Sequence, residues 1–245
     1  MTRIKCLSGN TLKLIAALSM VLDHVGLIFF PFSPIFRILG RLAFPIFAFM
    51  IAEGCRYTRN KTRYLLTVAG LGIIFQIVYF ILFNSLYLCI FITFSFSIII
   101  IYALGHFKRT VLSPTSSKSA RISAFLLLLG VISAVFVIDL FMEMDYDFAG
   151  CMLPVLISLP HCEDSFPEPV KKFDTHYSAL IMMTVGLIWL ALVNKPIQFF
   201  SLLTIPLLML YSGKRGKLKL KYFFYIFYPA HLVLLYMVDT ILNNL

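Results

Sequence analysis

The sequence is poor in charge. Only 13% of its 245 residues are Asp, Glu, Lys or Arg, about half the share of a soluble domain. So few cannot solvate a globular surface of this size, which excludes an ordinary soluble enzyme. Cysteine is scarce and scattered: Cys6, Cys55, Cys89, Cys151 and Cys162 form no CxxC pair. An odd, dispersed set excludes a disulfide framework and a zinc site, so no metal is expected. There is no Gly-rich phosphate loop, no metal-ligand spacing, no Ser/His/Asp signature and no internal repeat. No small-residue cleavage site follows the first apolar stretch, so a retained span is expected rather than a cleaved signal peptide.

What is there is apolar. The chain is 60% hydrophobic with a mean hydropathy of +0.93, which predicts an all-α, polytopic integral membrane bundle forming one domain over residues 1–245. Nine apolar segments stand out: roughly 12–30, 35–55, 64–83, 86–106, 122–140, 147–160, 177–194, 197–211 and 222–242. The sixth and eighth are short enough to be tilted or re-entrant.

The formal charge of +10 does not gather into one nucleic-acid-binding patch. It recurs in alternate loops: Arg3, Lys5 and Lys13; then 56–63; then Lys108, Arg109, Lys118 and Arg121; then Lys171 and Lys172; then 214–221. That is a topology signal, and it predicts a cytoplasmic N-terminus. If all nine segments cross, the C-terminus lies outside. The longest loop, Ser158 to His176, carries acids, lysines and prolines without catalytic spacing and is expected to be a solvated loop.

The first span, Leu12 to Phe30, holds Asp23 and His24 side by side, with Asp23 roughly 16 Å along the helix from Leu12. Ionisable groups near the middle of a bilayer are costly, and by default they mark a site facing a bundle interior or a wet cavity. The two side chains point about 100° apart, so they need different partners. Arg37 and Arg41 stack on one face of the second span. They suit binding a carboxylate or phosphate, or neutralising Asp23; snorkelling to the outer interface also stands, chiefly for Arg37. Pro45 allows a kink further along. Glu53 closes that span beside Arg56, with which a plain surface pairing is equally consistent. In the last span His231 lies roughly 14 Å from Tyr222, a depth like that of His24, and an imidazole there can act as general acid or base. Tyr222, Tyr225 and Tyr228 recur every third residue, as an interfacial belt would. His106, Lys108 and Arg109 suit an interfacial, topology-setting role.

These residues fall in an order that resembles the TraX family, membrane acetyltransferases named after the enzyme that acetylates conjugative pilin. The matching pieces are DHxG at Asp23–Gly26, RxxGRxAFPIFAF at Arg37–Phe49, Glu53-Gly54, Thr58, Tyr64, Gln76, Asp145-Tyr146 with Gly150, and FYPxHL at Phe227–Leu232. Two positions depart from the pattern: Asp147 stands where a glycine is usual, and Val78 where a proline is usual. The resemblance implies acyl transfer from cytoplasmic acyl-CoA, most simply acetyl-CoA, to an acceptor at or across the membrane, such as a pilin-like protein's amine or an envelope glycan. It implies His24 as base or transient acyl carrier, Asp23 tuning it or a partner such as Arg41, and His231 as a second acid/base. Arg37, Arg41, Glu53, Tyr146 and Tyr228 become substrate- or cofactor-binding candidates. The basic loops at 56–63 and 214–221 could attract the CoA phosphates, although topology already explains them. The competing classes are a proton-coupled transporter and a non-catalytic pilus or envelope assembly factor.

Overall fold

The computed structural model describes residues 6–217 and 221–243, apart from the side chains of residues 82, 83, 221, 222, 225, 229 and 243. Arg3, Lys5 and Lys219, and the side chains of Lys221, Tyr222 and Tyr225, therefore lie outside the described residues. The fold is all-α: α1 (Gly9–Ile28), α2 (Pro34–Gly40), α3 (Ala43–Tyr57), α4 (Lys61–Phe83), α5 (Ile90–Leu112), α6 (Lys118–Phe141), α7 (Asp147–Ile157), α8 (Glu168–Lys171), α9 (His176–Val193), a 3₁₀ segment (Pro196–Leu203), α10 (Thr204–Met209) and α11 (Lys221–Asn243). Among the described residues, six helical stretches are long and apolar enough to cross a membrane, and Asp147–Ile157, Pro196–Met209 and Ile226–Leu242 are shorter apolar helices. This is the expected polytopic helical bundle. Local sequence starts the helices: Ser8, Asn60 and Ser117 accept a backbone N–H at the N-termini of α1, α4 and α6. Residues gather into two compact units, 1–50 with 191–245, and 51–190.

In the first unit, α1 packs on α2 and α11, and α2 packs on the 3₁₀ segment. Leu12, Ala16, Ile46, Ala48, Phe49 and Leu208 form its buried core. The second apolar run is broken earlier than expected. The interruption falls at Arg41 and Leu42, whose N–H groups close short bonds to Ile38 and Leu39 carbonyls, and Pro45 sits in the first turn of α3. Proline removes its own N–H bond and crowds the carbonyl four residues back, here that of Arg41. The chain therefore unwinds just before the proline, which then starts a new helix without loss.

In the second unit, α5 packs against α4, α6 and α7. α6 buries only Ala124 and Val135 and exposes Phe125, Leu126, Leu127 and Leu129, a face suited to lipid rather than water. One end of the unit is fastened by an extended segment. Leu88 N–H donates to Glu143 O (2.8 Å) and Asp145 N–H donates to Leu88 O (3.0 Å). Gln76 bridges from α4, donating to Tyr87 O and accepting from Cys89 N–H, and Tyr87 donates its hydroxyl to Asp145 Oδ1 at 2.9 Å. Tyr87's phenol is consequently raised well above its usual range, first by burial and then by Asp145. This pairing explains why α5 begins at Ile90 rather than near residue 86.

At the other end the solvated loop at 158–176 is tied to the helix ends by ion pairs. Asp174 accepts a two-pronged bond from Arg56 (2.8 and 2.9 Å) and the Cys162 N–H (3.0 Å). Glu163 pairs with Arg109 at 2.6 Å and Lys61 at 3.6 Å. Lys108 places its ammonium on the carbonyls of Ser158, Leu159 and His161, where a cation satisfies the open C-terminal end of α7. The basic helix ends and the acidic loop thus meet at one end of this unit.

Candidate functional site

In the first unit, Arg37, Gly40 and Arg41, from one short stretch of chain, converge on Asp23. Arg41 Nη2 donates to both carboxylate oxygens, at 2.6 and 2.8 Å, and Arg37 Nη1 donates to Oδ2 at 2.9 Å. Arg41 Nε also donates to Arg37 O at 3.3 Å, which fixes the guanidinium on its own backbone. The Arg41 side chain is 7% exposed, Asp23 17% and Arg37 28%, so Arg41 is the buried partner and Arg37 the one nearer the surface. Gly40 is pressed against the Asp23 side chain, and a Cβ there would collide with it. The small residue between the two arginines is what lets α2 approach α1 so closely. Two guanidiniums and one carboxylate leave a net charge of +1 in this half-buried cluster.

His24 turns to another side of α1, as adjacent helical positions must. Its Nδ1 lies 2.8 Å from Met20 O, and His231 Nδ1 lies 3.0 Å from Phe227 O. A carbonyl can only accept, so each Nδ1 carries a proton, and in the neutral ring Nε2 is the basic nitrogen. The two rings meet edge to face, with centroids 5.2 Å apart and planes at 74°. Phe227 stacks on His231 at 5.3 Å, and Tyr228 meets it edge-on at 5.7 Å. His231 is buried at 6% exposure, and its Nε2 has no hydrogen-bond partner among the described residues. A buried acceptor left without a donor is costly, by about 1–3 kcal/mol. Such a nitrogen is suited to take a proton from an incoming N–H or O–H.

Of the residues singled out from sequence, the structure brings Asp23 to Arg37 and Arg41, and His231 to both His24 and Tyr228. Among the described residues Asp23 is held by the guanidiniums of Arg37 and Arg41 and not by His24. Glu53, half-buried on α3, and Tyr146 belong to the second unit. Tyr146 precedes α7 in a left-handed conformation, φ 64°, followed by Asp147 at φ 55°. The carbonyls of Met20 and Phe227 were not anticipated. Their signal is only a residue four positions before each histidine. Among the described residues no group of three His, Cys, Asp or Glu side chains is arranged to hold a metal.

The chain is 38% identical over 76 residues to an uncharacterized protein of Rickettsia prowazekii (strain Madrid E), covering 31% of this chain and 29% of that relative's length. It is 27% identical over 246 residues to the "Probable fimbrial assembly protein FimC, serogroup H1" of Dichelobacter nodosus, covering 93% of this chain and 94% of the relative. No solved structure matches. The family described as TraX protein matches residues 8–239, nearly end to end, and the chain belongs to the TraX family.

Proposed function

We propose that this protein is a membrane-embedded acyltransferase of a bacterial inner membrane, using acetyl-CoA or another acyl-CoA from the cytoplasm. The acceptor is an amine or hydroxyl at or across the membrane, on a pilin-like protein or an envelope glycan. The observation that carries the reading is the pair of imidazoles 5.2 Å apart, one with a buried Nε2 that has no partner among the described residues, within the same unit as a net-positive Asp23–Arg37–Arg41 cluster. The positive-inside pattern of the loops supports a cytoplasmic N-terminus, on the side where acyl-CoA is found.

His24, the more accessible of the two rings, takes the proton of the acceptor N–H or O–H through Nε2. The freed lone pair attacks the thioester carbonyl carbon, and a tetrahedral oxyanion forms. Positive charge from Arg37 and Arg41 stabilises that oxyanion. Collapse breaks the C–S bond, and the proton held by imidazole passes to the departing CoA thiolate. His231 serves as the second acid/base, with Tyr228 and Phe227 holding its ring. A transient acyl group on His24 is the variant in which the nucleophile is imidazole itself.

The test is binding and hydrolysis of acetyl-CoA by the purified protein in nanodiscs. Wild type should bind acetyl-CoA and slowly release free CoA; His24→Ala should bind and release none. A folded wild type that binds no acyl-CoA overturns the reading. The name of the Dichelobacter relative favours one second reading, a non-catalytic fimbrial assembly factor. That reading requires His24, Asp23 and His231 to be replaceable with no chemical product lost.

A further inference from the structure

The two basic loops that sequence treats alike are not alike in the structure. In the loop at 56–63, Arg56 is held by Asp174 and Lys61 by Glu163. In the first unit, the acidic residues are Asp23 and Asp239 alone. Asp23 is engaged by two arginines, and Asp239 lies eight residues beyond His231, toward the far end of α11. None of the ion pairs among the described residues involves Lys13, Lys214, Arg215 or Lys217.

These cations are nevertheless held in place. Leu7 N–H donates to Leu210 O (3.0 Å), Ser212 N–H to Leu7 O (2.9 Å), Gly9 N–H to Lys214 O (2.8 Å) and Asn10 N–H to Arg215 O (2.9 Å). Gly216, at φ 93°, lies so close to Ser8 that a side chain would not fit. The segment is clasped across the start of α1, with Lys214, Arg215 and Lys217 exposed and Arg215 an electrostatic neighbour of Lys13. A topology signal needs charge near a span end; it does not need the segment that carries the charge to be fastened by its backbone to the start of a helix. Such an arrangement stores repulsion that a polyanion relieves.

The spacing identifies the polyanion. Lys13 and His24 are eleven positions apart on α1, about 16 Å along the axis and within about 20° of the same face. The pantetheine arm of an acyl-CoA has roughly thirteen bonds between sulfur and phosphorus, about 15 Å when extended like a peptide chain. We propose that Lys13 and the clasped segment 210–217 bind the phosphates of the donor nucleotide while its thioester lies at His24. This rests on the acyl-CoA reading above. The phosphate of an anionic lipid headgroup offers the same chemistry from another source.

The experiment compares wild type with Lys214→Gln/Arg215→Gln/Lys217→Gln in nanodiscs of phosphatidylcholine, alone or with phosphatidylglycerol. The probes are acetyl-CoA, acetyl-dephospho-CoA and S-acetylpantetheine. The triple variant should bind acetyl-CoA at least ten-fold more weakly in both lipids, acetyl-dephospho-CoA with a smaller loss, and S-acetylpantetheine unchanged. A charge-retaining Lys214→Arg/Arg215→Lys/Lys217→Arg variant should bind acetyl-CoA as wild type does. If wild type binds acetyl-CoA and the Gln variant binds it equally, the assignment is overturned while the acyltransferase reading stands. A loss produced instead by Arg59→Gln/Arg63→Gln overturns it too. A loss confined to phosphatidylglycerol discs assigns the clasp to lipid headgroups and also overturns it. Wild type failing to bind acetyl-CoA at all sinks the underlying reading.

Discussion

Both carboxylate oxygens of Asp23 lie on one nitrogen of Arg41, at 2.6 and 2.8 Å, across eighteen positions of sequence. With Arg41 buried and Arg37 more exposed, the two arginines are not equivalent. Removing one partner of a buried pair costs about 3–5 kcal/mol because the other charge is left uncompensated. Asp23→Asn and Arg41→Gln should each destabilise the protein by about 3 kcal/mol, and Arg37→Gln by about 1 kcal/mol or less. The Asp23→Asn/Arg41→Gln double variant should lose less than the sum of its singles. Unfolding by SDS titration in mixed micelles measures all four. Equal losses for Arg37→Gln and Arg41→Gln would contradict the burial argument.

The tautomer argument separates fold from chemistry. Asparagine can keep the donor that each histidine Nδ1 directs at its own helix carbonyl, but it has no Nε2. His24→Asn should therefore keep near-native stability while CoA release from acetyl-CoA falls on the order of a hundred-fold or more. His231→Asn should behave likewise, with a smaller loss if it acts second. Nitrogen-15 spectra of labelled histidine should show both wild-type rings protonated at Nδ1 at neutral pH. An asparagine variant that turns over normally would remove the imidazoles from the mechanism.

Much of this site is visible in sequence because helical geometry is local. Adjacent Asp23 and His24 must diverge by about 100°, and Arg37 and Arg41 must share a face. These facts need no tertiary information. The break at Arg41–Leu42 was displaced from its cause, since Pro45 acts on the carbonyl four residues back. The ion pairs that fasten the solvated loop containing Glu163 and Asp174 were not legible for a different reason. Arg56 and Asp174 are 118 positions apart, and nothing in either segment announces the pairing. Likewise the extended stretch before α5 is stabilised by Glu143 and Asp145, and its own residues would continue a helix.

The departure at Asp147 has a structural consequence. Its φ of 55° lies in the left-handed region, directly after Tyr146 at 64°. An L-residue there costs roughly 1–2 kcal/mol, less for aspartate than for most, and glycine avoids the clash at some cost in unfolded-chain entropy. Asp147→Gly should stabilise the second unit by roughly 0.5–1 kcal/mol. Tyr146→Gly, which also removes a large side chain, should not. Thermal unfolding followed by circular dichroism decides this, and destabilisation by Asp147→Gly would show that the carboxylate at the start of α7 outweighs the backbone.

His161 gives the fold an acid-sensitive step outside the spanning helices. Burial, then the Arg56 guanidinium, lower its imidazole from 6.5 to about 4; Asp174 works in the opposite direction and Lys108 adds to the lowering. The folded protein therefore holds a neutral ring where the unfolded chain would take up a proton. Between about pH 6.5 and pH 4 the unfolded state binds more protons, so stability falls as the pH drops through that window and levels off below it. Because the ring is only half-buried, the loss is on the order of 2 kcal/mol after solvent screening. His161→Gln should flatten this limb of the unfolding midpoint against pH. An unchanged slope in that variant would mean the ring titrates normally and that the loop does not shield it from water.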